Sequence, residues 1–164
     1  MALQAPSSQI WGATSLDPTD VWNFEYFRVV CAKELSLFLG TDLWEKLIIQ
    51  AASTERCILD GAVAAGALSK NMYLAPGYPN GYSLDKYNMA LRVLGERLGS
   101  TPRGPEVTVL GSMIFVSVEL LQGSTGGAEL HLRGALAILN SPGKGPSSQG
   151  PDEKRHPLCT SLPF

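Results

Sequence analysis

Cys57, Asp60 and His131 are the residues whose types could support chemistry in this sequence. Cys57 and Asp60 lie one turn apart in a predicted helix, and a histidine brought beside them could activate the thiol as a nucleophile. The structural alternative is stronger, because cysteines such as Cys31 and Cys57 usually fill small buried sites in helices. His131 is the one histidine in the predicted folded region, which leaves little material for acid–base catalysis. We therefore predict no catalytic residue and no enzyme.

Two glycine-rich stretches are partly similar to the loops that bind phosphate or carry a catalytic serine. Residues 142–147, PGKGPS, lack the GxxxxGK[ST] spacing and follow no strand. Residues 123–127, GSTGG, do not match GxSxG, and Ser124 or Thr125 is better placed to cap a helix. The carboxylates Glu25 and Glu34 fall on polar helix faces. We predict no cofactor.

The spacing of the cysteines argues against a zinc site, and the net charge argues against a DNA-binding domain. Cys31, Cys57 and Cys159 are widely separated, with no CxxC pair or Cys/His cluster, so no zinc site is expected within the chain. An odd number of cysteines without a signal-peptide pattern favours a reducing compartment, the cytosol or the nucleus. A net charge of −2 lacks the basic surface expected of a DNA-binding domain.

The spacing of apolar residues predicts an all-α domain over residues 17–140, with disordered ends at 1–16 and 141–164. About six helices with short links should form antiparallel hairpins stacked into a small array. The first predicted helix starts near Asp17–Asp20 and ends at Leu39, and the second runs from Thr41 to about Ala51. The third runs from Ser53–Glu55 to Ser69, and the fourth from Ser83 to Leu98. The fifth runs from Gly104 to Leu121, and the sixth from Ser124 or Thr125 to Leu139. Residues 70–82 should form a loop.

Each predicted helix has an apolar stripe that should face the core. The stripes are Phe27, Val30, Cys31, Leu35 and Phe38; Leu43, Leu47, Ile48 and Ala51; Tyr87, Ala90, Leu91, Leu94 and Leu98; Val107, Leu110, Ile114, Val118 and Leu121; and Ala128, Leu132, Ala135, Leu136 and Leu139. The aromatic cluster of Trp22, Phe24, Tyr26 and Phe27 could line a ligand pocket, but core packing is the more usual role.

The hairpin over residues 104–139 is the most apolar part of the chain, and we expect the other helices to be organised around it. A membrane span is not expected, because Glu119 interrupts the apolar run. Leu130 and Ile138 fall outside the predicted inner stripe of the last helix. We expect them on an uncovered surface through which the protein self-associates or binds another helical regulator.

The third predicted helix is rich in small residues, including Gly61 and Gly66. Glycine costs about 1 kcal/mol in a helix interior relative to alanine. A neighbouring helix that approaches closely would offset this cost, and we predict such a neighbour at Gly66.

Three blocks in order resemble the fungal-specific transcription factor domain, the helical middle region of fungal zinc binuclear-cluster transcription factors. They are residues 25–70, 87–98 and 106–139, and the most specific part is LLQG at 120–123 followed by HL at 131–132 and GALAIL at 134–139. The resemblance implies an all-α regulatory domain and a nuclear protein, with the cytoplasm as the alternative; some members control secondary-metabolite genes. The six-cysteine zinc cluster of such proteins has no counterpart here, and the family's helical array normally continues further. Direct DNA binding by this chain is therefore not expected.

Three functions stay open at this point. The chain could be a regulatory or protein-interaction domain, a helical scaffold for small-molecule sensing or catalysis, or a truncated gene product without independent function.

Overall fold

The computed structural model of the chain describes residues 16–74, 76, 80–98 and 104–141. These residues form helices and no strand, which confirms the predicted all-α class. The predicted disordered ends lie, except for Leu16 and Ser141, outside the described residues, and so does the glycine-rich stretch 142–147.

Six helices follow one another in the described part of the chain. We number them α1 (Pro18–Tyr26, Phe27–Cys31 and Ala32–Leu39, in which Phe27–Cys31 is π-helical), α2 (Asp42–Leu47, π-helical, and Ile48–Ala52), α3 (Arg56–Leu74), α4 (Gly81–Arg97), α5 (Gly104–Leu121) and α6 (Thr125–Leu139).

Local signals set several helix ends as predicted. Asp17 caps α1, where its Oδ1 accepts a hydrogen bond of 2.7 Å from the Thr19 amide, and Pro18 occupies the first turn. Gly123 ends the α5 region with a φ of +75°, a conformation that favours glycine. Ser124 Oγ then accepts a hydrogen bond of 3.3 Å from the Gly127 amide and caps α6.

The loop predicted over residues 70–82 is too long. Helix α3 continues to Leu74 and α4 already starts at Gly81, so Ser83 lies inside α4 and does not cap it. Lysine, methionine and leucine in KNMYL are good helix formers. The effective stop signal is Pro76, because a proline disfavours the helical conformation of the residue before it.

Helix α3 is the centre of the fold, and the prediction that the chain is organised around the hairpin over residues 104–139 is wrong. Every residue from Cys57 to Ser69 is buried, and α1, α2, α4 and α5 all pack against α3. Its small side chains make this possible. A Cβ atom on Gly61 would lie 3.1 Å from Ile114 Cγ2, and a Cβ atom on Gly66 would overlap the Asn23 carbonyl oxygen of α1.

Helix α5 forms the second layer of the core. Its predicted stripe is correct, since Val107, Ile114 and Val118 are buried and Leu110 and Leu121 pack against the core. By length and composition alone α5 could cross a membrane, but half of it is buried in the fold, as in a core helix. Its packing against other helices inside the domain gives it a structural role.

The predicted core face of α2 is correct at Ile48, which is buried, and at Leu43 and Ala51, which pack against the core, but it is wrong at Leu47, which is exposed. Trp44 and Ala52 are buried as well. Burying the indole of Trp44 removes more apolar surface from water than burying a leucine would.

Candidate interaction surface

The residues of the hypothetical nucleophile set have separate partners. Cys57 is buried, and burial raises the pKa of its thiol, so it is a poor nucleophile. Asp60 Oδ2 accepts a hydrogen bond of 2.9 Å from Arg56 Nε. His131 Nε2 lies 2.9 Å from the Tyr87 hydroxyl.

The other buried thiol packs in the core, and so does part of the aromatic cluster. Burial raises the pKa of the Cys31 thiol to about 11. The rings of Phe24 and Phe27 are buried with centroids 6.5 Å apart. Trp22 is half exposed, and the ammonium group of Lys70 lies 5.9 Å from the centroid of the Tyr26 ring. The aromatic cluster is therefore divided between the core and the surface.

A buried charge cluster, made of Asp20, Arg56, Asp60, Tyr82 and Lys86, joins α1, α3 and α4. Lys86 Nζ lies 2.6 Å from Asp20 Oδ1, and the Tyr82 hydroxyl donates to Asp20 with an O···O distance of 2.5 Å. Burial, and next the hydrogen bond to Asp20, raise the pKa of Tyr82. The two carboxylates are balanced by two cationic side chains, so the cluster has the composition of a structural network.

Asp60 is the least satisfied member of the buried charge cluster. Its Oδ1 is fully buried and has no hydrogen-bond partner, although Lys86 Nζ lies 3.7 Å away. The buried charge cluster was not predicted, although Arg56 and Asp60 have the i, i+4 spacing of an ion pair on a helix. The pairing of Asp20 with Lys86 leaves no signal in the sequence, because these residues are 66 positions apart.

A second polar cluster joins α4, α5 and α6. The Tyr87 hydroxyl lies 2.5 Å from Glu119 Oε1 and 2.9 Å from His131 Nε2. Phe115 packs beside both rings, with centroid distances of 5.3 Å to Tyr87 and 5.3 Å to His131. His131 is thus a hydrogen-bonded residue at a helix interface.

The leucines of α6 are the largest departure from the predicted core. Ala128 and Ala135 face α5 as predicted, and their small side chains allow close packing of the two helices. The leucines on either side remain uncovered: Leu130 is 69% exposed, Leu132 43%, Leu136 49% and Leu139 66%. We call Leu132, Leu136 and Leu139 the α6 leucine surface, because at 3.6 residues per turn they share one side of the helix, whereas Leu130 lies on the opposite side. The predicted inner positions of Leu132, Leu136 and Leu139 are therefore wrong. Leu130 is exposed as predicted, whereas Ile138, which was predicted at the same uncovered surface, is half-buried.

A second exposed apolar site lies at the end of α1. Leu37 and Phe38 are each 82% exposed, so the predicted core position of Phe38 is wrong. The reason is that Ala32–Leu39 packs mainly against α2. The end of this segment is therefore covered on one side only.

Within the described part of the chain, no three histidine, cysteine, aspartate or glutamate side chains lie close enough together to hold a metal ion. Both polar clusters bind their own members. The α6 leucine surface is an accessible apolar feature in the C-terminal hairpin, but it differs from the predicted contact residues, which were Leu130 and Ile138.

Comparison with known proteins gives one match. A family model described as the fungal specific transcription factor domain matches residues 24–162. Neither the curated proteins nor the solved structures contain a match to the chain.

Proposed function

Because the chain belongs to the fungal specific transcription factor domain family, we propose that it is a helical protein-interaction module of a nuclear transcription regulator. The single observation that supports an interaction role is the α6 leucine surface. An enzymatic role has no comparable support, because the buried thiols, carboxylates and histidine are occupied by packing or by each other.

The position of α6 explains why its leucines can serve as a contact surface. Helix α6 lies at the edge of the fold and packs mainly against α5. Leu132, Leu136 and Leu139 follow one another at i, i+4 and i+7, which places them in one stripe along the helix. Covering such a stripe removes apolar surface from water, which contributes about 25 cal/mol for each Å² and opposes the entropic cost of association.

The occupant that we propose is a second copy of the chain. Glu129 and Arg133 are the exposed charges beside the leucine stripe, and they form an ion pair of 2.6 Å within α6. Because these charges neutralise each other, two α6 helices can approach without net repulsion. A leucine stripe is also chemically matched to its own copy, as the two-fold symmetry of most homodimers requires.

Replacing Leu132 and Leu136 by glutamate should abolish self-association. Four charges would then face one another in the dimer, and each would be costly to remove from water. We expect the wild-type chain to form dimers at tens of micromolar, as measured by light scattering after size exclusion, and the Leu132→Glu/Leu136→Glu variant to remain monomeric.

The matched control is Leu37→Glu, which places a charge at a more exposed leucine on α1 and should leave the dimer intact. Leu130→Glu tests the remaining side of α6. Ile138 stays unchanged in all of these variants, because it is half-buried and a charge at this position would disturb the packing of α6. A wild type that stays monomeric at high concentration, or a double variant that still dimerises, would refute the proposed interface.

We also propose that the isolated chain binds neither zinc nor DNA tightly. The net charge of −2 offers no excess of cations to replace the counterions of a duplex. We expect no stoichiometric zinc in the purified chain and no submicromolar binding to duplex DNA in fluorescence anisotropy. DNA binding that weakens steeply with added salt would contradict this proposal.

A further inference from the structure

Ser141 is an exposed residue that caps the C-terminal end of α6. Helix α6 ends at Leu139, and Asn140 is its C-cap residue. The Ser141 hydroxyl donates a hydrogen bond of 2.8 Å to the carbonyl oxygen of Ala137, and the Ser141 amide donates one of 3.2 Å to that of Ile138. The last carbonyl groups of a helix have no partner within it. Ser141 therefore stabilises the last turn of the helix that carries the α6 leucine surface.

The residues that follow Ser141 form the pattern that a proline-directed serine kinase recognises. Two of the 11 prolines come directly after a hydroxyl residue, in Thr101-Pro102 and in Ser141-Pro142. Ser141 also has a basic side chain three residues further on, Lys144, whereas a glycine occupies that position after Thr101. Kinases of this class bind a segment with proline directly after the hydroxyl residue, and a basic residue at the third position adds an ionic contact. The complete pattern therefore occurs at Ser141.

We propose that Ser141 is a phosphorylation site for a proline-directed serine kinase, and that its phosphate loosens the last turn of α6 and thereby weakens self-association. The γ-phosphoryl group of ATP is transferred to Ser141 Oγ: its bond to the oxygen of ADP breaks, a bond to Oγ forms, and ADP and the hydroxyl proton are released. The effect on self-association rests on the proposed function; the modification and its effect on the helix end do not.

Phosphorylation removes the side-chain hydrogen bond that Ser141 provides. In a phosphoserine, Oγ is bonded to phosphorus in place of its proton, so it cannot donate to the carbonyl oxygen of Ala137. The oxygens of the phosphate are hydrogen-bond acceptors and cannot replace the lost donor. The carbonyl group of Ala137 therefore loses this partner.

The charge of the phosphate acts in the same direction. The C-terminal end of a helix is the negative end of its dipole, and a phosphate adds about 1.5 to 2 negative charges at pH 7. The last turn of α6 contains no basic residue to offset them. Arg133, one turn earlier, is already paired with Glu129 at 2.6 Å. The lost hydrogen bond and the added charge thus both favour opening of the last turn.

The last turn of α6 contains Leu136 and Leu139, two residues of the α6 leucine surface. Together, the two effects should raise the equilibrium constant for opening this turn about tenfold. A terminal turn that is open in about one molecule in ten would then be open in about half of them. Because both copies in a dimer must present an ordered stripe, the dissociation constant of the dimer should rise about threefold.

Incubation of the full chain with ATP and a purified cyclin-dependent kinase, followed by mass spectrometry of its peptides, tests the modification. We expect a phosphate on Ser141 in the wild type and none there in Pro142→Ala, which keeps the serine. Ser53 is the internal control, because it is also exposed and its hydroxyl also donates to a helix-end carbonyl, that of Gln50 at 2.6 Å, but Thr54 follows it. We expect Ser53 to stay unmodified. The site is refuted if the kinase modifies a peptide of residues 137–147 but not Ser141 in the chain, or modifies Ser53 equally.

Hydrogen–deuterium exchange with millisecond labelling, at low micromolar concentration, measures the last turn of α6 in the monomer. We expect protection of the amides of residues 137–141, corrected for their intrinsic exchange rates, to fall about tenfold when Ser141 is phosphorylated. Ser141→Ala loses the hydroxyl without gaining a charge, so protection should fall less in this variant. Unchanged protection in the phosphorylated chain would disprove the effect on the helix end.

Light scattering after size exclusion, over a series of concentrations, measures the effect on self-association. The phosphorylated wild type should have a dissociation constant about threefold above that of the unmodified chain. Ser53→Glu places a charge at the end of α2 and should dimerise as the wild type does. An unchanged dissociation constant would overturn the regulation. A chain that never dimerises would refute the proposed function and with it the regulation, while mass spectrometry and exchange decide the modification and its effect on α6.

Discussion

Replacing Asp20 by alanine should lower the free energy of unfolding by about 3–5 kcal/mol, the range observed when one partner of a buried ion pair is removed. The carboxylate of Asp20 is almost fully buried and accepts a hydrogen bond from Tyr82 and from Lys86. Without it, the largely buried ammonium group of Lys86 loses its nearest counter-charge. Asp60, 3.7 Å from Lys86, can restore only part of that interaction. Urea denaturation followed by circular dichroism measures the loss.

Asp42→Ala is the matched control for Asp20→Ala. Asp42 also pairs with a lysine, Lys46, at 2.6 Å, but both side chains are exposed. Exposed pairs of this kind are screened by solvent and contribute little to stability, so the control should unfold almost as the wild type does. Equal stability losses in the two variants would show that the buried charge cluster does not join the three helices as described.

Gly66→Leu should destabilise the fold by about 3 kcal/mol or more, at or above the upper end of the usual cost of overpacking. A Cβ atom at this position would overlap the backbone carbonyl oxygen of Asn23 and lie 3.3 Å from Phe27 Cβ. Because a backbone carbonyl cannot turn aside as a side chain can, α1 and α3 would have to separate. The denaturation midpoint should fall by a corresponding amount.

Gly95→Leu is the matched control, since the same substitution at this position should not destabilise the fold. Gly95 lies within α4, and nothing approaches within 4 Å of the Cβ atom that it lacks. Leucine has the higher helix propensity, so this variant should be as stable as the wild type or more stable by up to about 1 kcal/mol. If Gly66→Leu shifted the midpoint no more than Gly95→Leu, the close contact between α1 and α3 would be disproved.

The helices were predictable because their signals are local. Asp17 with Pro18, and Gly123 with Ser124, mark helix ends through interactions that span only a few residues. The close neighbour at Gly66 was also predictable, since an unfavourable glycine in a helix interior requires a compensating contact. The resemblance to the transcription factor domain rested on ordered blocks of sequence, and the family match confirms it.

The polar clusters were not predictable from sequence spacing. Asp20 and Tyr82 are 62 residues apart, and Tyr87 and His131 are 44 residues apart. Neither pair forms a motif, because hydrogen bonds between distant helices depend on how those helices are oriented. Of the residues that were considered as a nucleophile set, Asp60 pairs with Arg56 of its own helix, whereas His131 contacts Tyr87 of α4.

The sequence by itself determined that the chain is helical and where most helices begin and end, because capping, proline and glycine effects act within one turn. The tertiary structure decided which helix is central and which leucines are covered. Hydrophobicity pointed to α5, but the small residues of α3 allow four helices to pack around it. On α6, alanines face α5 and the leucines stay exposed, because an apolar stripe identifies a surface to be covered without specifying what covers it.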